Sequence, residues 1–158
     1  MKRTAVGLLL LVVSTTLWTA QSSQNGKDSW TDPSTGLTWA ARDNGKDVNW
    51  KGAVKYCQNM RIGGFSDWRL ATLAELEGIY DKNANSPGRV DKRADTWPVK
   101  GNLFLSGHPW SSEYRRDDRG RNSGYSWYFD FGNGRPNNEP SGFPYLSRFR
   151  RALCVRGK

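Results

Sequence analysis

The two cysteines constrain the fold of this chain more than any other feature, because they are its only thiols. Cys57 falls in NWKGAVKYCQNM, where Trp50, Ala53 and Cys57 recur at helical spacing, so it is predicted on the buried stripe of a helix. Cys154 falls in RALCVR, a predicted last strand. Two thiols and one histidine cannot form a standard four-ligand zinc site. A bridge between the cysteines would stabilise the fold by about 4 kcal/mol in the chain-entropy model.

The N-terminal sequence, MKRTAVGLLLLVVSTTLWTA, decides whether such a bridge can form. Lys2 and Arg3 precede a short apolar run, and small and polar residues lead to a cleavage site after Ala20, so residues 1–20 are predicted to be a signal peptide. The alternative is an uncleaved anchor, because Trp18 stands where a small residue is preferred. We expect an exported protein, periplasmic or extracellular, with no membrane span after cleavage. In such an oxidising compartment a disulfide is the default state of the cysteines.

The charge balance narrows the class of partner. Lysine and arginine outnumber aspartate and glutamate by 24 to 15. In the cytoplasm this excess would indicate nucleic acid. For an exported protein it favours an acidic or sulfated polysaccharide, an anionic cell surface or a negatively charged protein, and we expect no nucleic-acid partner.

The stretch GGFSDWRLATLAEL contains a helix start. Thr72 and Glu75 have the spacing of a capping box, in which the threonine hydroxyl and the glutamate carboxylate each accept a backbone N–H at the helix N-terminus. Asp67 and Arg69 flank Trp68, and we expect them to form a local charge pair beside a packed indole ring. No nucleophile with an activating base is near, so this stretch is interpreted as a structural motif.

The remaining segments indicate an α+β fold. Residues 21–29 are predicted to be a disordered lead-in, and WTDPSTGLTW predicts a hairpin. Residues 81–126 lack a sustained period and are interpreted as long loops, with one strand ending at Trp110. SWYFDFGNG alternates, which puts Trp127 and Phe129 on the face opposite Tyr128. The order is therefore strand, two helices, long loops and final strands.

An ordered set of fragments carries a family resemblance: DPSTGLTW, NWKGAVKYC, GFSDWRLATLAEL, WSS, WYFDFGNG and RALCVR. Together they resemble the Lcl C-terminal domain family, named after the Legionella collagen-like protein, over essentially all of a domain at residues 30–158. The resemblance implies a C-type-lectin-like domain with two helices, a small antiparallel sheet and a disulfide from the first helix to the last strand. For the namesake of the family, adhesion to sulfated glycans is implied. Ala71 departs from the family, which usually has proline there, and no collagen-like tract precedes the domain.

A cluster of arginines in the predicted loops is the strongest candidate site. Guanidinium groups match sulfate and carboxylate in a bidentate manner, and nearby aromatic rings can stack on sugars. The proposed ligand-binding residues are Arg115, Arg116, Arg119, Arg121, Tyr125 and Trp127. A second basic group, Arg148, Arg150 and Arg151, is expected to join the same face. The alternative is a solvated loop, in which Glu113, Asp117 and Asp118 neutralise much of the charge.

Other candidates are weaker. Asn137, Asn138 and Glu139 in GRPNNEP offer oxygen ligands, but calcium needs about six to eight, so a turn-rich loop is expected and no metal or cofactor. His108 is expected to be an exposed loop residue with no catalytic partners. The predicted function is a non-catalytic binding or adhesion module. The alternatives are an exported enzyme of the formylglycine-generating fold group, which would need a reactive cysteine, and a structural envelope protein.

Overall fold

The computed structural model describes residues 28–142 and 148–157, which contain ten strands, two α-helices and one 3₁₀ helix. The elements are β1 (Ser29–Thr31), β2 (Thr38–Ala40), α1 (Trp50–Gln58), β3 (Arg69–Leu70), α2 (Leu73–Gly78), β4 (Ser86–Val90), β5 (Arg93–Trp97), the 3₁₀ helix (Lys100–Asn102), β6 (His108–Arg116), β7 (Asn122–Asp130), β8 (Arg135–Pro140), β9 (Arg150–Arg151) and β10 (Cys154–Arg156). The predicted signal peptide and all but the last two residues of the predicted lead-in lie outside the described residues.

The expectation of an α+β, C-type-lectin-like fold with one small antiparallel sheet and long loops is wrong. The described residues are mostly strand, in three sheets of order β1-β2-β10-β3, β4-β5 and β8-β7-β6-β9. The third sheet is mixed, because β6 pairs with β9 in parallel. The region 81–126 holds two hairpins instead of loops. In β5 four of the five residues are exposed, so no apolar alternation marks it as a strand.

The first sheet begins with the predicted hairpin. Asp32 shapes its turn: Oδ1 accepts from the Ser34 amide at 2.9 Å and the Ser34 hydroxyl at 2.7 Å, and Oδ2 accepts from the Thr35 hydroxyl at 3.1 Å. Such short-range bonds from an aspartate are a common way to fix a turn. The last strand, β10, lies between β2 and β3 and completes this sheet.

Both predicted helices are present, with their caps. Asn49 caps α1, its Oδ1 accepting from the Gly52 amide at 2.8 Å. The capping box of α2 is confirmed, with Thr72 and Glu75 each accepting the other's amide at 3.2 Å and 2.8 Å. Within the described ranges, none of the helices has the length and apolar character needed to cross a membrane.

The disulfide is confirmed. The Sγ atoms of Cys57 and Cys154 are 2.04 Å apart, and both residues are fully buried. The bridge joins α1 to β10, so it ties a helix near the start of the domain to the middle of the first sheet. The cysteines belong to a core cluster that also contains Trp68, Trp110 and Tyr128.

A second core cluster lies on the other face of β7. It includes Phe129 and Phe131 together with Trp39 and Leu76, whereas Tyr128 points into the cluster that contains the disulfide. The alternation predicted for this strand is therefore confirmed for Tyr128 and Phe129. Apolar side chains pack on both faces of β7, so the base of the β6–β7 hairpin is anchored in the core.

The segment Asp67–Arg69 fastens different parts of the fold together. Trp68 is 3% exposed, whereas the carboxylate of Asp67 accepts from Arg156 at 2.8 Å and 3.1 Å. Arg69 donates to both carboxylate oxygens of Glu75, at 2.8 Å and 2.6 Å. The expected pair between Asp67 and Arg69 is wrong, because each has a partner from another element: one on β10 and the other on α2.

Candidate functional site

The arginine cluster lies at the tip of the β6–β7 hairpin and not in a long loop. Asp117 closes the tip: its Oδ1 accepts from the amides of Arg119 at 2.9 Å and Arg121 at 2.8 Å. Oδ2 accepts from Arg121 Nε at 3.0 Å. The bonds from Arg121, the backbone one above all, hold the pKa of Asp117 below its ordinary value. One of the three carboxylates expected to neutralise the cluster is thus used to shape the turn.

The four predicted arginines fall into two groups. Arg121 forms an ion pair with Asp117 at 2.9 Å. Arg116 lies over the Tyr114 ring, 5.3 Å from its centroid, and donates to the Gly120 carbonyl at 2.7 Å. Arg115 and Arg119 are exposed, and neither guanidinium has a carboxylate partner among the described residues.

An open groove of about 580 Å³ runs beside the hairpin. Its lining residues are Leu73, Ser112, Glu113, Tyr114, Arg116 and Trp127. Glu113 is held there because its Oε2 accepts from the Leu73 amide at 2.9 Å, at the start of α2. The groove therefore presents two aromatic side chains and a guanidinium within one surface. Two of the predicted residues, Arg116 and Trp127, meet in it, and Tyr125 is 39% exposed outside it.

The second basic group does not join this face. Arg150 is buried, forms an ion pair with Glu139 and has its guanidinium 3.5 Å from the centroid of the Tyr128 ring. Arg151 is also buried and donates to Ser106 Oγ at 2.8 Å and to Asp47 at 2.5 Å. The expectation that both arginines lie at the surface is wrong, because these carboxylates, distant in sequence, compensate their burial.

Arg148 differs from its two neighbours. It is exposed, with its guanidinium 5.8 Å from the centroid of the adjacent Phe149 ring. It is the one member of the second basic group that the structure leaves at the surface. It contributes nothing to the lining of the groove beside the hairpin.

The buried arginines belong to a larger polar network. Asp43 is 4% exposed and accepts from the Ser106 amide at 2.5 Å, the Ser106 hydroxyl at 2.8 Å and the Gly45 amide at 2.8 Å. Burial raises the pKa of Asp43, although the bonds from Ser106 oppose that shift. No sequence pattern marks this network, because its members are ordinary polar residues from separate segments.

His108 belongs to the same region, and the expectation that it is an exposed loop residue is wrong, because it is the first residue of β6. It is not simply exposed: its side chain is 22% exposed, its ring lies edge-to-face against Trp97 at 5.2 Å, and Nδ1 is 3.2 Å from Asp130 Oδ1. Burial lowers the pKa of His108, Asp130 opposes that shift, and the two buried arginines reinforce it.

The segment expected to form a turn-rich loop around Asn137 and Asn138 is strand β8, so that expectation is wrong. The carboxylate of Glu139 on the same strand is held by Arg150. In residues 28–142 and 148–157, no group of three or more histidine, cysteine, aspartate or glutamate side chains is placed to hold a metal ion.

These features define a class of protein: a small, mostly β domain, tied by one disulfide, with an arginine-bearing hairpin beside an aromatic groove. The chain belongs to the Lcl C-terminal domain family, whose sequence model matches residues 28–151. The resemblance seen in the sequence fragments is thereby confirmed. No protein with a curated description matches the chain in sequence.

Proposed function

We propose that this domain is an exported, non-catalytic binding module for an acidic or sulfated polysaccharide. The observation that carries the proposal is the pair of exposed guanidinium groups of Arg115 and Arg119, which have no carboxylate partner in the part of the chain that the structure describes and lie at the tip of a hairpin whose base is packed on both faces. Fork-shaped guanidinium groups suit sulfate and carboxylate oxygens and lose little hydration on binding.

The adjacent groove supports a sugar ligand over a simple anion. Tyr114 and Trp127 can cover the apolar face of a pyranose ring, and Arg116 can reach an acidic substituent of the same ring. The guanidinium of Arg116 is already positioned over Tyr114, so its ordering costs little when ligand binds. Arg116 connects the tip to the groove. The combined surface suits a chain of sugars better than a single sugar unit.

The disulfide bears on the alternatives. An enzyme of the formylglycine-generating kind needs a reactive thiol, and the chain's two cysteines are joined to each other. The bridge also fits the proposed export, since structural disulfides persist in oxidising compartments. In a purely structural envelope protein, substitution of hairpin residues would not change ligand binding. Variants of the hairpin therefore distinguish that alternative from a binding module.

The test compares two charge-reversed variants on a heparin column. Arg115→Glu/Arg119→Glu changes the hairpin tip, and Lys92→Glu/Arg93→Glu makes the same change of charge at exposed residues of the β4–β5 hairpin. Exposed ion contacts contribute about 0–1 kcal/mol each, so binding requires several together. It should weaken steeply with salt, because the Debye length shrinks to about 3 Å at 1 M. The tip variant should elute at clearly lower salt than the parent.

The matched control decides how the result is interpreted. Equal shifts for both variants would mean that heparin responds only to net charge, and the site assignment would then be wrong. A tip variant that elutes with the parent would overturn it as well. Trp127→Ala adds a second readout, because loss of a stacking ring should weaken retention without changing charge. Thermal melts of all variants establish that each one is folded.

A further inference from the structure

A second exposed surface lies on α1 and the turn that follows it. We call it the α1 face and define it by Lys51, Lys55, Tyr56, Arg61 and Phe65. Tyr56 is 39% and Phe65 46% exposed, and these are two of the four large hydrophobic side chains that are exposed among the described residues. An aromatic pair left in water calls for an explanation beyond folding.

The charge on the α1 face has one sign. No aspartate or glutamate occurs between Asp47 and Asp67 in the sequence. Those two flanking carboxylates are both engaged, Asp47 with the buried Arg151 and Asp67 with Arg156. Lys51, Lys55 and Arg61 are exposed, and none of the three has a carboxylate partner in the described part of the chain. The surface is therefore uncompensated and positive.

The apolar part of this face is continuous. An open, mostly apolar groove of about 420 Å³ is lined by Gly52, Lys55, Tyr56, Asn59, Met60 and Ile62. Ile62 in turn forms an isolated bridge with Phe65, whose amide donates to the Ile62 carbonyl at 3.1 Å. Ile62 thus connects the groove, which Tyr56 lines, to the backbone of Phe65.

The outward position of Phe65 is built into the turn. Gly63 and Gly64 have φ of +64° and +79°, a left-handed backbone that lets the chain reverse tightly. The Arg156 guanidinium lies 3.5 Å from the centroid of the Phe65 ring and is itself held by Asp67. Arg61 is fixed in a similar way, donating to the Gln58 and Met60 carbonyls at 3.0 Å and 2.7 Å.

We propose that the α1 face docks on the surface of a membrane containing anionic phospholipid. Exposed aromatic rings enter the headgroup region of a bilayer, and lysines and arginines beside them attract the lipid phosphates. The single sign of charge and the exposed Tyr56 and Phe65 side chains complement such a surface. This site shares no residue with the hairpin tip or its groove, so it does not rest on the proposed binding of polysaccharide.

The experiment measures co-sedimentation of the disulfide-bonded domain with vesicles. One set is phosphatidylcholine alone and the other is phosphatidylcholine mixed with phosphatidylglycerol. The parent should bind the anionic vesicles and bind the neutral ones only weakly. Each lysine near an anionic surface contributes about fivefold to binding, so Lys51→Glu/Lys55→Glu should weaken it by well over tenfold. Phe65→Ser should reduce the part of the binding that persists in high salt.

Two further variants make the outcome specific. Lys92→Glu/Arg93→Glu has the same change in net charge away from the α1 face and should retain most of the binding. Arg115→Glu/Arg119→Glu should retain it too, whatever it does to heparin retention. The proposal is overturned if the parent does not bind anionic vesicles. It is also overturned if the Lys51/Lys55 and Lys92/Arg93 variants lose vesicle binding equally. If the parent instead forms a dimer through this face in solution, the lipid assignment is wrong.

Discussion

Replacement of both cysteines by alanine tests how much the disulfide stabilises this fold. The bridge closes a loop with a sequence separation of 97, and the chain-entropy relation for a loop of that length gives about 4–5 kcal/mol at 25 °C. Both residues are fully buried, so Cys57→Ala/Cys154→Ala also removes packed sulfur atoms, a further loss of about 1 kcal/mol. Since whole domains are stable by only about 5–15 kcal/mol, the variant should be barely folded.

Urea unfolding followed by tryptophan fluorescence measures this effect. If the bridge acts mainly on the unfolded chain, the variant should have a lower midpoint and a steeper dependence on urea, because its unfolded state exposes more surface. The reduced parent separates the two contributions, since it loses the link but keeps the sulfur atoms. A difference below about 1 kcal/mol between oxidised and reduced parent would refute the loop-entropy argument.

Three further predictions concern single residues. Trp68→Ala should lower the free energy of unfolding by about 3–5 kcal/mol, because the indole is 3% exposed, and leave heparin retention of the folded fraction unchanged. Gly88→Ala should lower the melting temperature measured by calorimetry, since a Cβ there would lie 2.3 Å from the Leu105 carbonyl oxygen, whereas the control Gly78→Ala meets only open space. Folding lowers the pKa of His108, so the unfolded chain takes up a proton at a higher pH than the folded one. Stability should therefore fall as the pH drops through 6.5, and His108→Gln should flatten this dependence of the melting temperature on pH.

The predictions that succeeded rest on local chemistry. Thr72 and Glu75 act on amides within three residues at the start of α2, so their spacing alone identifies that helix start. The turn at Asp32 and the alternation in β7 are equally short-range. The disulfide could be predicted because the chain holds only two cysteines, which leaves one pairing.

The failures concern contacts between distant segments. Arg150 and Arg151 have the composition of a surface stretch, and their burial depends on Glu139 and Asp47, which no local pattern connects to them. The parallel pairing of β6 with β9 is invisible in the sequence for the same reason. Strand β5 is mostly exposed, so it lacks the alternation by which strands are recognised.

The sequence predicted which residues belong to the candidate site, but not how they are arranged. The sequence identifies four arginines with aromatic neighbours at the hairpin. It cannot show that Asp117 turns inward and engages Arg121 while Arg116 donates to the Gly120 carbonyl. Of the four arginines, this leaves Arg115 and Arg119 without a carboxylate or carbonyl partner among the described residues. That division depends on the geometry of a tight turn, and the groove beside it depends on the packing of α2 against the hairpin.

The position of β10 has a consequence for the order in which the domain can assemble. β2 and β3 both precede Cys154 in the chain, yet the strand that separates them in the sheet follows them both. Until it arrives, two strands that are neighbours of β10 in the finished sheet have unsatisfied edges, and α1 has no disulfide partner. A chain truncated before Cys154 would therefore lack the strand that joins β2 to β3, and the first sheet cannot be completed until β10 is present.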